Sequence, residues 1–231
     1  LIEASKSFSK QLMKKYGIPT ADFNVFDNEE EAIKYLEQAD YPIVVKADGL
    51  ALGKGVIIAE DKAQAVEAVR SMISGGKFGK AGSRVVIEEY MTGPEVSVLC
   101  FTDGKTIVPM VSSQDHKRAL DNDKGLNTGG MGTFSPSLHY TKEHEAFVRE
   151  HILQATVDAM NNEGRPFKGV LYFGLMLTPK GVKVLEYNAR FGDPETQVVL
   201  PRLQSDLYEI FEAVIDGRLA HTDIKWNDKA A

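Results

Sequence analysis

The 231-residue chain has little cysteine, no long apolar run and no excess of positive charge. Its one cysteine, Cys100, cannot form an internal disulfide, which favours a reducing compartment, and its apolar neighbours are typical of a core thiol. No apolar stretch approaches the ~18 residues that a transmembrane helix needs. The formal net charge of -6 disfavours sequence-independent binding of nucleic acid. We therefore expect a cytoplasmic protein that binds neither membranes nor nucleic acid.

Arrangements of nucleophilic and metal-binding side chains are also missing from the sequence. No Ser–His–Asp or Cys–His pattern indicates a nucleophile, and the five histidines show no metal-ligand spacing. The remaining composition, 43% hydrophobic and 26% charged, is ordinary for a globular protein. For chemistry the chain offers lysines, arginines, a glycine-rich loop and a strand with two oxygen ligands for a metal ion. This combination suits phosphoryl transfer, in which positioning and charge neutralisation do most of the catalysis.

The apolar periodicity mixes helix and strand patterns and predicts an α+β fold. We expect an initial helical segment, 1–20, that packs on the larger of two subdomains. The small subdomain is predicted over 21–91 and the larger one over 92–231. A ligand that lies between two such subdomains would be gripped from both sides. Because the chain opens at Leu1 inside a predicted helix, we also expect a piece of a longer protein.

The segment from Val184 to Thr196 carries a dense set of polar side chains at a strand end. Since side chains alternate between the two faces of a strand, Glu186 and Asn188 point the same way, and Arg190 continues the alternation. Two oxygen donors on one face suit Mg²⁺, which takes few protein ligands and completes its shell with phosphate oxygens and water. This pattern predicts a metal–nucleotide site.

Lys46 ends an apolar strand and precedes a glycine-rich loop, Asp48–Gly55. Alone, such a lysine is commonly an edge residue whose ammonium reaches water, and such a loop is commonly a plain turn. Together they favour a phosphate contact, because glycines let backbone N–H groups approach phosphate oxygens. The loop is not a Walker A motif, since its spacing is one residue short and Gly55 stands where Ser or Thr is required.

The segment from Glu88 to Glu95 follows another predicted strand. Two acids at a strand end are commonly solvated, and that interpretation stays open. The alternative is an adenosine pocket, in which the extended backbone bonds to adenine and the Tyr90 and Met91 side chains supply flat and apolar surface. In that pocket, Glu95 would accept hydrogen bonds from the ribose hydroxyls.

A long polar segment, Ser112–Gly132, separates two groups of apolar strands. Its charged residues, Asp115–Arg118, can be read as a solvated charge run. Loops longer than ~15 residues without apolar periodicity are usually functional or disordered. Because the glycine cluster Asn127–Gly132 closes the segment, we favour an ordered loop that reaches a ligand.

Four motifs in this order resemble the phosphoribosylamine–glycine ligase family of the ATP-grasp superfamily. They are Val44–Val56, Gln114–Arg118, Asn127–Gly132 and Asn188–Gln197. The resemblance covers essentially the whole chain and implies an ATP-grasp fold, in which two α+β subdomains grip ATP between them. It also implies that the full family member has a domain before Leu1, which helps to hold the phosphoribosyl group, and another after the ATP-grasp core.

The resemblance also assigns site residues by their position in the motifs. For the ATP phosphates it implies Lys6, Lys46, Gly53, Lys54 and Gly55. For adenine and ribose it implies Glu88, Glu89, Tyr90, Met91 and Glu95. Further nucleotide contacts are implied at Arg118 and Asn127, and substrate contacts at Asp115, His116, Lys117 and Asp193. The implied ligands of Mg²⁺, or of Mn²⁺, are Glu186 and Asn188. The preceding strand offers no acid for a second ion.

The implied reaction joins glycine to 5-phosphoribosylamine and yields glycinamide ribonucleotide, ADP and phosphate through a glycyl phosphate. Arg190 and Lys46 are the implied catalytic residues, and a structural ion pair with Asp193 is the alternative role for Arg190. Two other functions stay open, another ATP-grasp carboxylate–amine ligase and a nucleotide-binding module without chemistry. We expect this chain alone to bind Mg·ATP and to be a poor ligase.

Overall fold

Two antiparallel four-stranded sheets organise the chain, one in each of two compact units. The computed structural model describes residues 1–49, 55–75, 79–121 and 124–231. Unit 1 consists of Leu1–Lys14 and Thr20–Thr92, and unit 2 consists of Lys15–Pro19 and Gly93–Ala231.

The sheet of unit 1 has the strand order β1-β4-β2-β3. Its strands are β1 (Phe23–Phe26), β2 (Ile43–Ala47), β3 (Val56–Ala59) and β4 (Val85–Glu89). The helices are α1 (Lys6–Tyr16), whose last residues belong to unit 2, α2 (Glu29–Leu36) and α3 (Lys62–Ile73). The side chains of Asn28 and Asp61 cap α2 and α3 by accepting a backbone N–H of the first turn. The core lies between α2, α3 and the sheet, and includes Leu36, Val45 and Met72.

The N-terminal segment 1–20, which is predicted to pack on the larger subdomain, is divided between the two units. Leu1–Lys14 belong to unit 1, and only Lys15–Pro19 of this segment belong to unit 2. The reason is polar contact within unit 1. The Ser7 N–H donates to the Asp48 carboxylate, and Lys10 forms an ion pair with Glu88.

The main sheet of unit 2 has the order β12-β11-β5-β6. The strands are β5 (Glu95–Thr102), β6 (Ile107–Pro109), β11 (Gly169–Thr178) and β12 (Gly181–Asn188). The central strand β11 is buried at every position except its two ends. A core that includes Phe101, Tyr172 and Ile210 packs this sheet against the helix Leu207–Asp216.

The polar segment 112–132 is not a plain loop, because it forms short antiparallel ladders. Strand β7 (Gln114–Asp115) pairs with β10 (Thr133–Phe134), and β8 (Arg118–Leu120) pairs with β9 (Lys124–Asn127). These ladders carry polar side chains, so no apolar alternation in the sequence marks them.

The apolar pattern predicts one helix near 141–162, and residues 142–162 are helical throughout, with a π-helical turn in the middle. The structure has α4 (Lys142–Val148), a π-helical turn (Arg149–Gln154) and α5 (Ala155–Asn162). Further helices are α6 (Thr196–Val199) and α7 (Leu207–Asp216), which ends at Gly217 in the left-handed region, with φ 72°. Among the described residues, no helix is both long enough and apolar enough to span a membrane.

A bulge in β12 decides which way its polar residues face. Gly174 pairs with Glu186 whereas Leu175 pairs with Val184, so Leu185 is an extra residue. Val184 and Tyr187 are therefore both buried although they are three positions apart, and Glu186 is exposed. Strict alternation from Val184 would have put Glu186 on the buried face. Beyond the bulge, Glu186 and Asn188 lie on the same face of β12, as the alternation in the sequence predicts, and this face is the more exposed one.

Candidate functional site

A buried ion cluster lies on one face of the paired strands β2 and β4 in unit 1. Val44 pairs with Glu88 across the two strands, and Lys46 lies two residues beyond Val44, so Lys46 and Glu88 share one face of the sheet. The ammonium groups of Lys46 and of Lys10 on α1 each lie 2.9 Å from the same carboxylate oxygen, Glu88 Oε2. The side chains of Lys10, Glu88 and Lys46 are only 3%, 2% and 11% exposed.

The electrostatics of this cluster depend on burial and on the excess of cations. Burial raises the pKa of Glu88, but Lys46 and Lys10 outweigh it and hold that pKa below its ordinary value. Burial lowers the pKa of Lys10 to about 8, against the opposing attraction of Glu88 and with a smaller lowering by Lys46. The second carboxylate oxygen, Glu88 Oε1, is buried and has no hydrogen-bond partner within the described part of the chain. Such an acceptor is ready for a ligand donor.

The start of the glycine-rich loop is anchored to the beginning of α1. The Asp48 carboxylate accepts hydrogen bonds from the Ser5 hydroxyl and from the Ser7 N–H, the latter at 2.6 Å. The Lys6 ammonium donates to the Gly49 carbonyl at 3.1 Å. Gly49 must lack a side chain, because a Cβ there would lie 2.6 Å from the Ala81 Cβ. Lys6 is thus placed at the loop that the sequence predicts for phosphate binding.

Two predicted phosphate contacts, Gly53 and Lys54, lie outside the described residues. Gly55 is buried, and its carbonyl accepts the Ala47 N–H at 2.8 Å. This hydrogen bond ties the end of the loop to the strand that carries Lys46.

The predicted adenine segment continues from β4. The Asp22 N–H donates to the Glu89 carboxylate at 3.2 Å, Tyr90 is exposed and Met91 is buried. Glu88 and Met91 therefore have the buried surroundings that a base pocket needs, whereas Glu89 is held by the backbone of the neighbouring chain segment.

The predicted metal ligands lie at the end of β12 in unit 2. Glu186 is exposed and Asn188 is half-buried. The Arg190 guanidinium donates to the Phe191 carbonyl at 2.8 Å and lies 3.5 Å from Asn188 Oδ1. Among the described residues, no three His, Cys, Asp or Glu side chains gather as a metal cage. A carboxylate and an amide oxygen without such a cage fit Mg²⁺ that is also held by phosphate oxygens.

A buried hydrogen-bond network surrounds Glu195. Its carboxylate oxygen Oε1 accepts from the Ser97 and Tyr172 hydroxyls at 2.9 and 3.0 Å. Asp115 lies within the field of Glu195. Burial, and then the Glu195 charge, raise the pKa of Asp115 to about 6, and its Oδ1 is buried without a hydrogen-bond partner in the described structure.

Lys117 is paired with the predicted ribose contact. Its ammonium lies 2.8 Å from the Glu95 carboxylate. Burial lowers the pKa of Lys117, but Glu95, followed by Tyr172 and Glu186, outweighs it and raises that pKa above its ordinary value. The structure therefore brings Lys117, Glu95, Asp115 and Glu186 into one electrostatic group, in which Lys117 contacts a carboxylate of the protein.

The remaining predicted contacts are less closely grouped. His116 is exposed, with its ring 5.6 Å from the Phe134 ring, and Asp193 accepts a hydrogen bond from Gln197 at 2.7 Å. The backbones of Arg118 and Asn127 pair across β8 and β9, but their side chains lie outside the described part of the structure.

Sequence reasoning missed Lys10 and the Ser97–Tyr172–Glu195 network. The available signal for Lys10 is its position four residues after Lys6, which places both lysines on one side of a helix. Ser97, Tyr172 and Glu195 are far apart in the sequence, and only the pairing of β11 with β5 and the turn after β12 bring them together.

The chain is similar in sequence to proteins of a known family. Residues 4–196 match the family model described as phosphoribosylglycinamide synthetase, ATP-grasp (A) domain. The chain belongs to this ATP-grasp family. The family and the α+β ATP-grasp fold that the sequence predicts are thereby confirmed.

Members of the family are similar along the whole chain. It is 52% identical over 231 residues to the trifunctional purine biosynthetic protein adenosine-3 of Bos taurus, covering 100% of this chain and 23% of that protein. It is 51% identical over 229 residues to phosphoribosylamine–glycine ligase of Halalkalibacterium halodurans, covering 99% of this chain and 53% of the relative. The chain thus spans about half the length of the ligase it matches.

Among solved structures of the family, phosphoribosylamine–glycine ligase of Thermotoga maritima superimposes with a TM-score of 0.86 at 36% identity. The match covers 94% of this chain and 55% of that structure.

Proposed function

We propose that this ATP-grasp chain binds Mg·ATP for the ATP-dependent ligation of glycine to 5-phosphoribosylamine. The products are glycinamide ribonucleotide, ADP and phosphate, as in purine biosynthesis. One observation carries the proposal. Lys46 and Glu88, which the sequence predicts as contacts for phosphate and adenine, form one buried cluster in which a carboxylate oxygen has no partner within the described residues. The names of the similar ligases support the choice of substrates.

ATP-grasp enzymes use ATP, and the described residues suit its parts. We assign Glu88 Oε1 to the adenine amino group, since a buried acceptor without a partner is stabilised by a donor. Met91 supplies apolar surface beside the base, and Glu95, held by Lys117, accepts from the ribose. Lys6 and Lys46 serve the phosphates, and further nucleotide contacts are assigned to Gly53, Lys54, Gly55, Glu89, Tyr90, Arg118 and Asn127.

Mg²⁺ would be held by Glu186 and Asn188, and Mn²⁺ has the same preference for oxygen ligands. When bound, the ion neutralises phosphate charge as the γ-phosphoryl group is transferred. The exposed position of Glu186 beyond the β12 bulge leaves its carboxylate accessible to such an ion.

The proposed chemistry has two steps. A glycine carboxylate oxygen attacks the γ-phosphorus of ATP, which releases ADP and forms glycyl phosphate. The amine of phosphoribosylamine then attacks the glycyl carbonyl carbon, which releases phosphate and a proton. Arg190 would stabilise the charge that develops on the acyl phosphate, with Lys46 neutralising the ATP phosphates. Asp115, His116, Lys117 and Asp193 are proposed substrate-side residues.

Calorimetric titration with ATP in the presence of Mg²⁺ tests the binding half of this proposal. We expect Glu186→Gln to weaken Mg²⁺-dependent ATP binding by at least about tenfold, because it removes the charged metal ligand. Glu209→Gln, at an exposed carboxylate of α7, is the matched control and should bind normally. Wild-type protein that binds no ATP with Mg²⁺ present would refute the proposal.

The ligase half is tested by ADP release with glycine and freshly prepared phosphoribosylamine. Because the chain spans about half of the single-function ligase, we expect slow turnover that requires both substrates. Release that another amine or carboxylate supports better would favour a different ATP-grasp ligase, and ATP binding without release under any condition would favour a binding module.

A further inference from the structure

The buried cluster of unit 1 contains one cation more than its carboxylate needs. Glu88 Oε2 lies 2.9 Å from both the Lys10 and the Lys46 ammonium groups, and all three side chains are almost fully buried. A buried carboxylate is destabilising when it has no cation, yet one well-placed cation is enough to compensate it. Two lysines on one carboxylate oxygen therefore leave one positive charge available to another anion.

The surroundings of the two lysines decide which of them is available. The Lys10 ammonium is held by three partners, which are Glu88, the Thr20 hydroxyl at 2.7 Å and the face of the Phe23 ring at 5.9 Å. Lys46 lies at the end of β2, two residues before the glycine-rich loop that begins at Asp48. Lys46 is thus close in sequence to the proposed phosphate contacts, whereas Lys10 is fixed on α1.

We propose that Lys10 is a positioning residue, the permanent counter-ion of Glu88, which frees the Lys46 ammonium to move from Glu88 to a nucleotide phosphate. The inference rests on the proposed function, since it takes ATP as the ligand. Without Lys10, transfer of Lys46 to a phosphate would leave Glu88 buried and uncompensated. Lys46 would then stay on the carboxylate, and the phosphates would lose a cation.

Binding of ATP and of adenosine to the Lys10→Met variant tests this role, because adenosine has no phosphates. We expect ATP to bind at least about tenfold more weakly than to wild type, while adenosine changes by less than about threefold. Lys15→Met is the matched control. It removes an exposed ion pair with Glu163 at the end of the same helix and should leave both ligands unchanged.

A double variant separates positioning from folding. In Lys10→Met with Glu88→Gln, the buried carboxylate is gone and Lys46 is no longer retained by it. The ratio of ATP to adenosine affinity should therefore return towards the wild-type ratio, even if both affinities fall because Glu88 no longer contacts adenine. A merely structural Lys10 would predict equal losses for both ligands in the single variant and no recovery of the ratio in the double variant.

The dependence of ATP affinity on pH provides a second test of this role. The charged groups that act on Lys10 are Glu88, Lys46 and Glu89, and together with burial they lower its pKa to about 8. ATP affinity of the wild type should therefore fall as pH rises through about 8, relative to the affinity of Lys10→Met, which lacks this group. Equal profiles, or an unchanged ratio in Lys10→Met, would overturn the role of Lys10. A wild type that fails to bind ATP would instead overturn the proposed function.

Discussion

The two units place charge of opposite sign on the same kind of scaffold. In unit 1, adjacent antiparallel strands bring Lys46 and Glu88 together, and Lys10 adds a second cation to that one carboxylate. In unit 2, three carboxylates act on the ammonium of Lys117, and Glu195 acts on one of them, Asp115. The other two are those of Glu95 and Glu186.

The difference shows how each unit is prepared for ligands. An excess of buried cation in unit 1 favours an anion such as phosphate, because the anion restores local neutrality. An excess of carboxylate in unit 2 favours a cation, whether a metal ion or an ammonium group. Burial is the main cause of the raised pKa of Asp115 and of the lowered pKa of Lys10, and a like charge adds to each shift, from Glu195 and from Lys46 respectively.

Removal of the Glu88 carboxylate from the buried cluster of unit 1 should have the largest effect on stability. Glu88→Ala would leave Lys10 and Lys46 buried together without a counter-ion, and we expect a loss of about 3–5 kcal/mol in the free energy of unfolding. Urea unfolding measures this loss. Glu163→Ala, which breaks an exposed pair with Lys15, is the control and should cost far less. Equal losses in the free energy of unfolding for the two variants would show that the buried cluster of unit 1 contributes no more to stability than an exposed ion pair.

A smaller loss is expected from one hydrogen bond in unit 2. Tyr172→Phe removes the hydroxyl that donates to Glu195 at 3.0 Å, while Ser97 still donates to the same oxygen. We expect a cost of about 1–3 kcal/mol, the usual range for a bond to a charged group. The exposed Tyr208→Phe is the control. A loss as large as that of Glu88→Ala would mean that the two units do not differ in their dependence on buried charge.

The smallest effect should be a gain of stability that depends on pH. The folded pKa of Asp115 is about 6, above the ordinary 3.8, so its ionised form is disfavoured in the folded state. Asp115→Asn should therefore melt slightly higher than wild type at pH 7.5. The difference should shrink as pH falls through 6 and vanish below about 4. Asp228→Asn, at an exposed site, should show no such trend. A gain that is independent of pH would exclude ionisation of Asp115 as its cause.

The parts of the fold with strong local signals could be predicted from the sequence. Asp103-Gly104 and Gly181 mark the turns of the β5–β6 and β11–β12 hairpins, and both hairpins are present. Lys46 and Glu88 could be proposed because each ends an apolar strand. That they form an ion pair could not, since it depends on the register between β2 and β4.

Other features have a weak local signal or none. Lys10 reads as a surface lysine, because its burial depends on the strands that pack beside α1. The ladders of 112–134 consist mainly of polar residues and have no alternating apolar pattern. Leu185 gives no sign of a bulge, since only its pairing with β11 shows that one residue is extra.

The extra residue Leu185 means that the number of residues in β12, and not only their identity, decides which side chains are buried. The alternation of buried and exposed positions along β12 shifts by one residue at Leu185. As a result, the valines before it and Tyr187 after it are both buried, whereas Glu186 and Asn188 lie on the more exposed face. One more residue at this point would reverse the parity of the distal half alone. The carboxylate of Glu186 would turn into the interior and the ring of Tyr187 into water, although no amino acid had been replaced.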